Sequence, residues 1–202
     1  MQHAVLAAED RSFYDHGGIS PFGIGRAILN NVTGGYTQGG STITQQYAKN
    51  AFLTQERSWD RKIKVALLAF KLETVVSKDQ ILGDYLNTIY FGRGAYGIDA
   101  AARAYFGQPV QELDASQAAV LGAIIKSPNG LAPEKDLAGL KARWTYVLDG
   151  MVSQGWLTQK QRDAAQFPRI KKGDGVNRLG GQTGYILTAV QDALHAQGFD
   201  DQ

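Results

Sequence analysis

The chain has 202 residues, 44% of them hydrophobic and 20% charged, with a formal net charge of +2. That length and balance supply one sizeable core with room for a small appendage, and they exclude disorder over most of the chain. The near-neutral charge excludes bulk nucleic-acid binding, and the absence of cysteine excludes disulfides, thiolate metal sites and a cysteine nucleophile.

Most of the sequence reads as helix. The apolar run at residues 4–8 predicts a first helix that ends in Glu9 and Asp10. Ser20-Pro21, an N-cap followed by proline at N1, opens a helix towards Asn30-Asn31. Residues 32–38, with Gly34-Gly35, read as a flexible connector. Gly39-Gly40-Ser41 then reads as a glycine loop and an N-cap serine, starting a helix that carries Lys49. Dense apolar spacing predicts a buried helix over residues 60–76. Ser77-x-x-Gln80 is a capping box for the next helix, and residues 92–97 form a glycine-rich turn. Asp114-x-x-Gln117 caps a helix that ends near Ser127-Pro128. An amphipathic helix is expected over about residues 136–153, with Leu140, Trp144, Val147, Leu148 and Met151 on its buried side. Gly155 ends it, and Thr158-x-x-Gln161 caps a short last helix. Residues 168–181 are basic and glycine-rich, which suits a linker. Residues 184–198 read as one more helix. No run alternates as a strand would.

Two segments carry chemistry. The first is Glu9-Asp10-Arg11-Ser12-Phe13-Tyr14-Asp15-His16-Gly17-Gly18. An acid at the end of an apolar helix is held rigidly and is partly desolvated, which raises its pKa and suits it to act as a base. Neighbouring helical residues point about 100° apart, so only one of the two acids looks into a given cleft. The second is Gly39-Gly40-Ser41-Thr42-Ile43-Thr44-Gln45-Gln46-Tyr47-Ala48-Lys49-Asn50. Ser41, Gln45 and Lys49 recur every fourth residue and share a face. The free N–H groups and dipole of the helix start favour an anion, and Lys49 adds a full positive charge. Gly-Lys-Ser/Thr is missing, so the segment is not a nucleotide P-loop. Each segment alone is also what an ordinary solvated helix end looks like.

Together they decide the matter. Glu-Asp-x-x-Phe-x-x-His-x-Gly followed by Gly-Gly-Ser-Thr-Ile-Thr-Gln-Gln-x-x-Lys-Asn resembles the peptidoglycan glycosyltransferase domain of class A penicillin-binding proteins and monofunctional transglycosylases, glycosyltransferase family 51. Arg61-Lys62 resembles the opening of the family's third motif. Lys78-Asp79-Gln80-Ile81-Leu82-Gly83-Asp84-Tyr85-Leu86-Asn87 resembles its fourth and runs into Tyr90-Phe91-Gly92-Arg93-Gly94-Ala95-Tyr96-Gly97. A weaker fifth block surrounds Ala118, Leu121 and Pro128. The match spans roughly residues 4–166.

The resemblance implies a mainly α, lysozyme-like two-lobed helical domain at residues 1–168. Residues 169–202 are then a linker and terminal helix leading to a transpeptidase domain, for which no Ser-x-x-Lys motif is present. The implied reaction polymerises lipid II, with a sugar hydroxyl displacing polyprenyl pyrophosphate. Glu9 matches the family's catalytic base, and Asp10 is the neighbour that shapes the site. Lys49, Arg57 and Arg61 match the pyrophosphate-side basic residues, and Arg26 would reach a phosphate. Ser41, Thr42, Gln45 and Gln46 contact the donor or position Glu9. His16 holds the loop through a hydrogen bond. Phe22, Ile24, Ile28 and Leu29 face lipid in the family, although the same stripe would serve ordinary core packing.

One position departs from the family. Arg61-Lys62-Ile63-Lys64 is followed by Val65, where the family has a glutamate thought to hold a divalent cation, Mg or Mn, or the basic residues. The substitution can be inactivating, can mark a weakened enzyme, or can be offset by Glu73 or Asp60. The expectation is retained fold and ligand binding with slow turnover.

Expected partners are lipid II, the growing glycan strand, the membrane surface and phosphoglycolipid inhibitors such as moenomycin, with no nucleic acid. No apolar run reaches the ~20 residues that cross a bilayer. The chain therefore reads as a piece of a longer protein, placed on the extracytoplasmic face of the bacterial cytoplasmic membrane by an anchor that precedes it. Two other readings are a glycan-cleaving enzyme of the lysozyme class and a non-catalytic lipid II-binding module. The basic residues argue against the former, and Val65 argues for the latter.

Overall fold

A computed structural model describes residues 1–18, 41–52 and 59–173, without the side chains of residue 52 and residues 59–63. The described residues form eight α-helices: α1 (Gln2–Glu9), α2 (Ile43–Phe52), α3 (Trp59–Val75), α4 (Lys78–Thr88), α5 (Ile98–Phe106), α6 (Ala115–Ile124), α7 (Leu137–Ser153) and α8 (Gln159–Ala164). They hold no β-strand, only one isolated bridge between Tyr90 and Tyr96. The fold is mainly helical, as expected. No described helix is long and apolar enough to cross a membrane.

The core is built around α1, which packs against α6 and α7, while α6 and α7 pack on each other. Every residue of α1 from Ala4 to Glu9 is buried. A helix apolar on all sides belongs inside a domain. Small residues let α1 and α6 approach closely: a Cβ added at Gly122 would lie 2.9 Å from the Ala4 carbonyl oxygen. Backbone cannot move aside as a side-chain tip can. Gly122→Ala should therefore destabilise the chain by about 1–3 kcal/mol through overpacking, read as a lower melting temperature. An unchanged melting temperature would mean that the two helices part freely there. A second group of helices flanks this core: α2 packs against α3 and α4, and α4 leads through α5 to α6.

Three sequence expectations change in detail. The helix over 60–76 exists but is not buried, since Leu67, Phe70 and Val75 are 65%, 58% and 75% exposed. Its main packing partner is α2, so a single stripe through Ala69 is covered. Helix α5 was not legible, because its N-cap is Gly97 at φ 83° with no side-chain cap. That glycine is required, since a Cβ would lie 2.6 Å from the Asn87 carbonyl oxygen. What sustains α5 is Ala100-Ala101-Ala102 and the Arg103–Asp99 pair at 2.8 Å. The boxes at Asp114 and Thr158 form completely, but the one at Ser77 forms by half. Ser77 accepts from the Gln80 N–H, and the Gln80 amide turns instead to Asp84 at 2.8 Å.

After α8 the chain runs irregularly along the helices. Ser116 Oγ donates to the Gln166 carbonyl at 2.6 Å, and Phe167 meets Trp144 edge-on. The Lys171 N–H donates to Tyr105 O at 2.8 Å, so the first residues of the expected linker lie against α5. The expected helices at 20–31 and 184–198 and the connector at 32–38 lie outside the described residues.

Candidate active site

Glu9 is the last residue of α1 and is only 8% exposed. Its Oε1 accepts from Arg143 Nη2 at 2.9 Å, and its Oε2 accepts from Gln46 Nε2 at 3.0 Å. Gln46 stands one turn into α2, and its Oε1 accepts from the Tyr85 hydroxyl of α4 at 2.9 Å. Four elements thus converge on one carboxylate. Burial pushes Glu9 above the usual carboxylate range. The Arg143 charge, the hydrogen bonds from Gln46 and Arg143, and the charge of Lys126 pull it part of the way back. Tyr85 is pushed well above the usual phenol range by burial and by Glu9 and Asp10, so it stays a neutral donor.

Arg143 is the site residue that the sequence reading missed. It falls three residues after Leu140 and four before Val147, on the buried face of α7. A charged residue inside an apolar stripe was the available signal. Its Nη2 also donates to the Ala8 carbonyl at 3.2 Å, and Arg11 Nε donates to Ala7 O at 3.1 Å. Both guanidinium groups lie over the ring of Tyr146, at 5.4 and 4.8 Å. The pair satisfies terminal carbonyls of α1 and offsets the negative end of its dipole, which fixes the place where Glu9 emerges. Lys126, just past α6, was also not foreseen. Burial and repulsion from Arg143 lower its pKa, and Glu9 works against that.

Asp10 points elsewhere, since it is the C-cap of α1 and its backbone has already left the helix at φ −157° and ψ 80°. It accepts from the Ile43 N–H at 3.2 Å, and its two oxygens lie 2.9 and 3.0 Å from His16 Nε2. The anion held by the start of α2 is therefore Asp10 itself. His16 ties the loop to it, in the role expected. The cap of α2 is Thr42 rather than Ser41: the Gln45 N–H donates to Thr42 Oγ1, and the Thr42 N–H donates to Gln45 Oε1. Thr42 Oγ1 also donates to Gly18 O at 2.8 Å, which leaves Ser41 exposed beyond the helix.

The structure thus gathers Glu9, Asp10, Thr42, Gln45 and Gln46 at the α1–α2 junction. Lys49 is exposed farther along α2. Arg61 lies in the first turn of α3 with its side chain outside the description, and Arg26 and Arg57 lie outside the described residues, as do Phe22, Ile24, Ile28 and Leu29. Val65 is half-buried on α3. Glu73, one of the two suggested replacement acids, is engaged elsewhere: it accepts from the Thr44 hydroxyl and from Lys78 Nζ at 2.7 Å. Among the described residues no group of three His, Cys, Asp or Glu could hold a metal ion. Valine has no donor atom, so position 65 itself offers no ligand to a divalent cation, and the side chain of Asp60 lies outside the description.

A desolvated carboxylate between a guanidinium and an amide, on a mainly helical scaffold, is built for general acid–base chemistry. Comparison with known proteins narrows that class. The family model described as Transglycosylase matches residues 1–152, and the chain belongs to that family. Penicillin-binding protein 1A of Mycolicibacterium smegmatis is 48% identical over 202 residues, covering 96% of this chain and 26% of that protein. Penicillin-binding protein 1A of Mycobacterium tuberculosis is 45% identical over 210 residues, covering 100% and 26%. The crystal structure of penicillin-binding protein 1A from Haemophilus influenzae matches 77% of this chain and 20% of its own, at 21% identity and a TM-score of 0.41. The chain spans about a quarter of the length of the curated relatives it matches.

Proposed function

We propose that the chain is a peptidoglycan glycosyltransferase domain that polymerises lipid II, with Glu9 as its general base. The observation that carries this reading is the Glu9 carboxylate, buried yet held through both oxygens by Arg143 and Gln46. Burial raises its basicity, and the two donors favour the charged form that accepts a proton. The base takes the proton of the acceptor sugar hydroxyl as that oxygen attacks the donor's anomeric carbon. Lipid pyrophosphate leaves from the opposite face, so the anomeric centre inverts. Lys49, Arg57 and Arg61 receive the departing pyrophosphate through charge-assisted hydrogen bonds. Asp10 acts structurally, by seating the start of α2 so that Gln46 meets Glu9. The domain works on the extracytoplasmic face of the cytoplasmic membrane, in a longer protein that carries a transpeptidase domain.

Product analysis tests the reaction class. Lipid II should yield glycan polymer and polyprenyl pyrophosphate. Release of fragments from finished wall, with lipid II untouched, would make the chain a hydrolase.

Val65 favours a slow form of this enzyme, or a domain that binds lipid II without turning it over. Nothing at that position balances the basic residues, and Glu73 is engaged by Thr44 and Lys78. The cations still attract a pyrophosphate, so binding outlasts catalysis. Val65→Glu should raise the polymerisation rate and lower the melting temperature, since it sets a charge on a half-buried face. Equal turnover of the two forms would make the second acid dispensable here.

A further inference from the structure

We propose that Tyr85 is a positioning residue for the base: its hydroxyl orients the Gln46 amide so that the amide's N–H, not its carbonyl, faces Glu9. The inference rests on the reading of Glu9 as general base, and it adds a residue that touches no substrate.

Tyr85 lies in the apolar stripe Leu82, Tyr85, Leu86 and Ile89 and is fully buried. A phenylalanine would fill almost the same space. The hydroxyl is the part that needs a reason, because a buried phenol must find a partner. Its hydrogen goes to Gln46 Oε1 at 2.9 Å. A glutamine side chain has two ends of nearly equal shape and opposite polarity. Turned over, Gln46 would set its carbonyl against the Glu9 carboxylate, two acceptors face to face. It would also leave the Tyr85 hydrogen with no acceptor in a closed site. With Tyr85 donating, the carbonyl is held on the α4 side, and Nε2 is delivered to Glu9 Oε2 at 3.0 Å.

The groups that act on Glu9 are then Arg143 from α7, Lys126 past α6 and Gln46 from α2 backed by Tyr85 from α4, while Asp10, next in the chain, is turned to Ile43 and His16. Removal of the Tyr85 hydroxyl leaves Arg143 and Lys126 in place. It costs Glu9 the one donor whose direction depends on a second residue. A hydrogen bond to the charged form favours ionisation, so its loss moves the ionisation of Glu9 to higher pH. The base then stays protonated to a higher pH and recovers when the pH is raised further.

The test is a carboxyl-carbon NMR titration of Glu9 in the whole chain, with the signal assigned by its loss in Glu9→Gln. It is run for the natural sequence, Tyr85→Phe, Gln46→Met and the double variant, beside kcat and KM for lipid II as functions of pH. Tyr85→Phe should move Glu9 upward as far as Gln46→Met does, and the double variant no further, because the two act in series. Below the Glu9 midpoint kcat should fall about tenfold, the worth of one lost charge-assisted hydrogen bond. It should recover at high pH with KM unchanged. A Glu9 titration unmoved in folded Tyr85→Phe, or additive shifts in the double variant, overturns the proposal. If Tyr85→Phe does not fold, Gln46→Met decides: an unmoved Glu9 there removes the amide as the link. The titration needs no turnover. A chain that polymerises nothing counts against the glycosyltransferase reading, while the NMR result still decides the role of Tyr85.

Discussion

Glu9→Gln should reduce lipid II polymerisation by on the order of 100-fold or more while the chain stays folded. The loss follows from chemistry, since an amide cannot take the acceptor's proton. The retained fold follows from the network around it. The new carbonyl can still accept from Arg143 Nη2, which now bonds Glu9 Oε1 at 2.9 Å. The new NH2 would face Gln46 Nε2, so that one hydrogen bond is lost while Tyr85 keeps Gln46 in place, a cost of about 1–3 kcal/mol that is too small to unfold the domain. The variant also separates charge from shape in stability. Glu9 ionises at a higher pH in the fold than in the unfolded chain, because of burial. Its contribution to stability is therefore present below the unfolded value and lost as pH rises through the folded one. Glu9→Gln has no such term, so its stability relative to the natural sequence should improve as pH rises across that window. Thermal melts over a pH series check this. Near-normal turnover in the variant would remove Glu9 from the mechanism.

Arg143→Ala should be the most damaging single change to both stability and activity. Arg143 is 3% exposed and forms a buried pair with Glu9, while the same nitrogen caps Ala8 O. Removal of one partner of a buried pair costs about 3–5 kcal/mol, which lowers the melting temperature of a domain this size by roughly 10 °C. The loss of the positive charge also moves the ionisation of Glu9 further up, so turnover near neutral pH falls with it. Arg143→Lys keeps the charge but loses the planar fork and its seat on Tyr146, and should fall between the two. Thermal melts and lipid II turnover on the same samples check this. A melting temperature within a degree or two of the natural chain would show that the pair adds little to the fold.

Local signals carried much of the fold. The apolar spacing and caps of α1, α4, α6, α7 and α8 were readable because each signal lies within a few residues of the structure it specifies. Helix α5 was not readable, because a glycine stands where a capping side chain is expected. The exposed face of α3 was not readable either, since apolar periodicity reports that a helix has an apolar face, not whether another element covers it. At the site, Glu9, Asp10, Gln46 and His16 could be named because the two short segments that carry them resemble the family's motifs. Arg143 and Tyr85 could not. Arg143 reaches Glu9 from 134 residues away along the chain and Tyr85 reaches Gln46 from 39 residues away, and each lies within an apolar stripe that reads as core. The α2 start reads as favouring an anion, and the anion it holds is Asp10, a partner that only the folded chain brings there.

The central claim is that Glu9 is the base of a lipid II polymerase. The most direct measurement is the release of polyprenyl pyrophosphate from lipid II against pH, by the Val65→Glu chain with and without Glu9→Gln. The rate should rise with pH through the elevated ionisation of Glu9, accompany the growth of glycan polymer, and vanish in Glu9→Gln. Pyrophosphate release that survives Glu9→Gln, or a chain that cuts finished glycan and leaves lipid II intact, would contradict it.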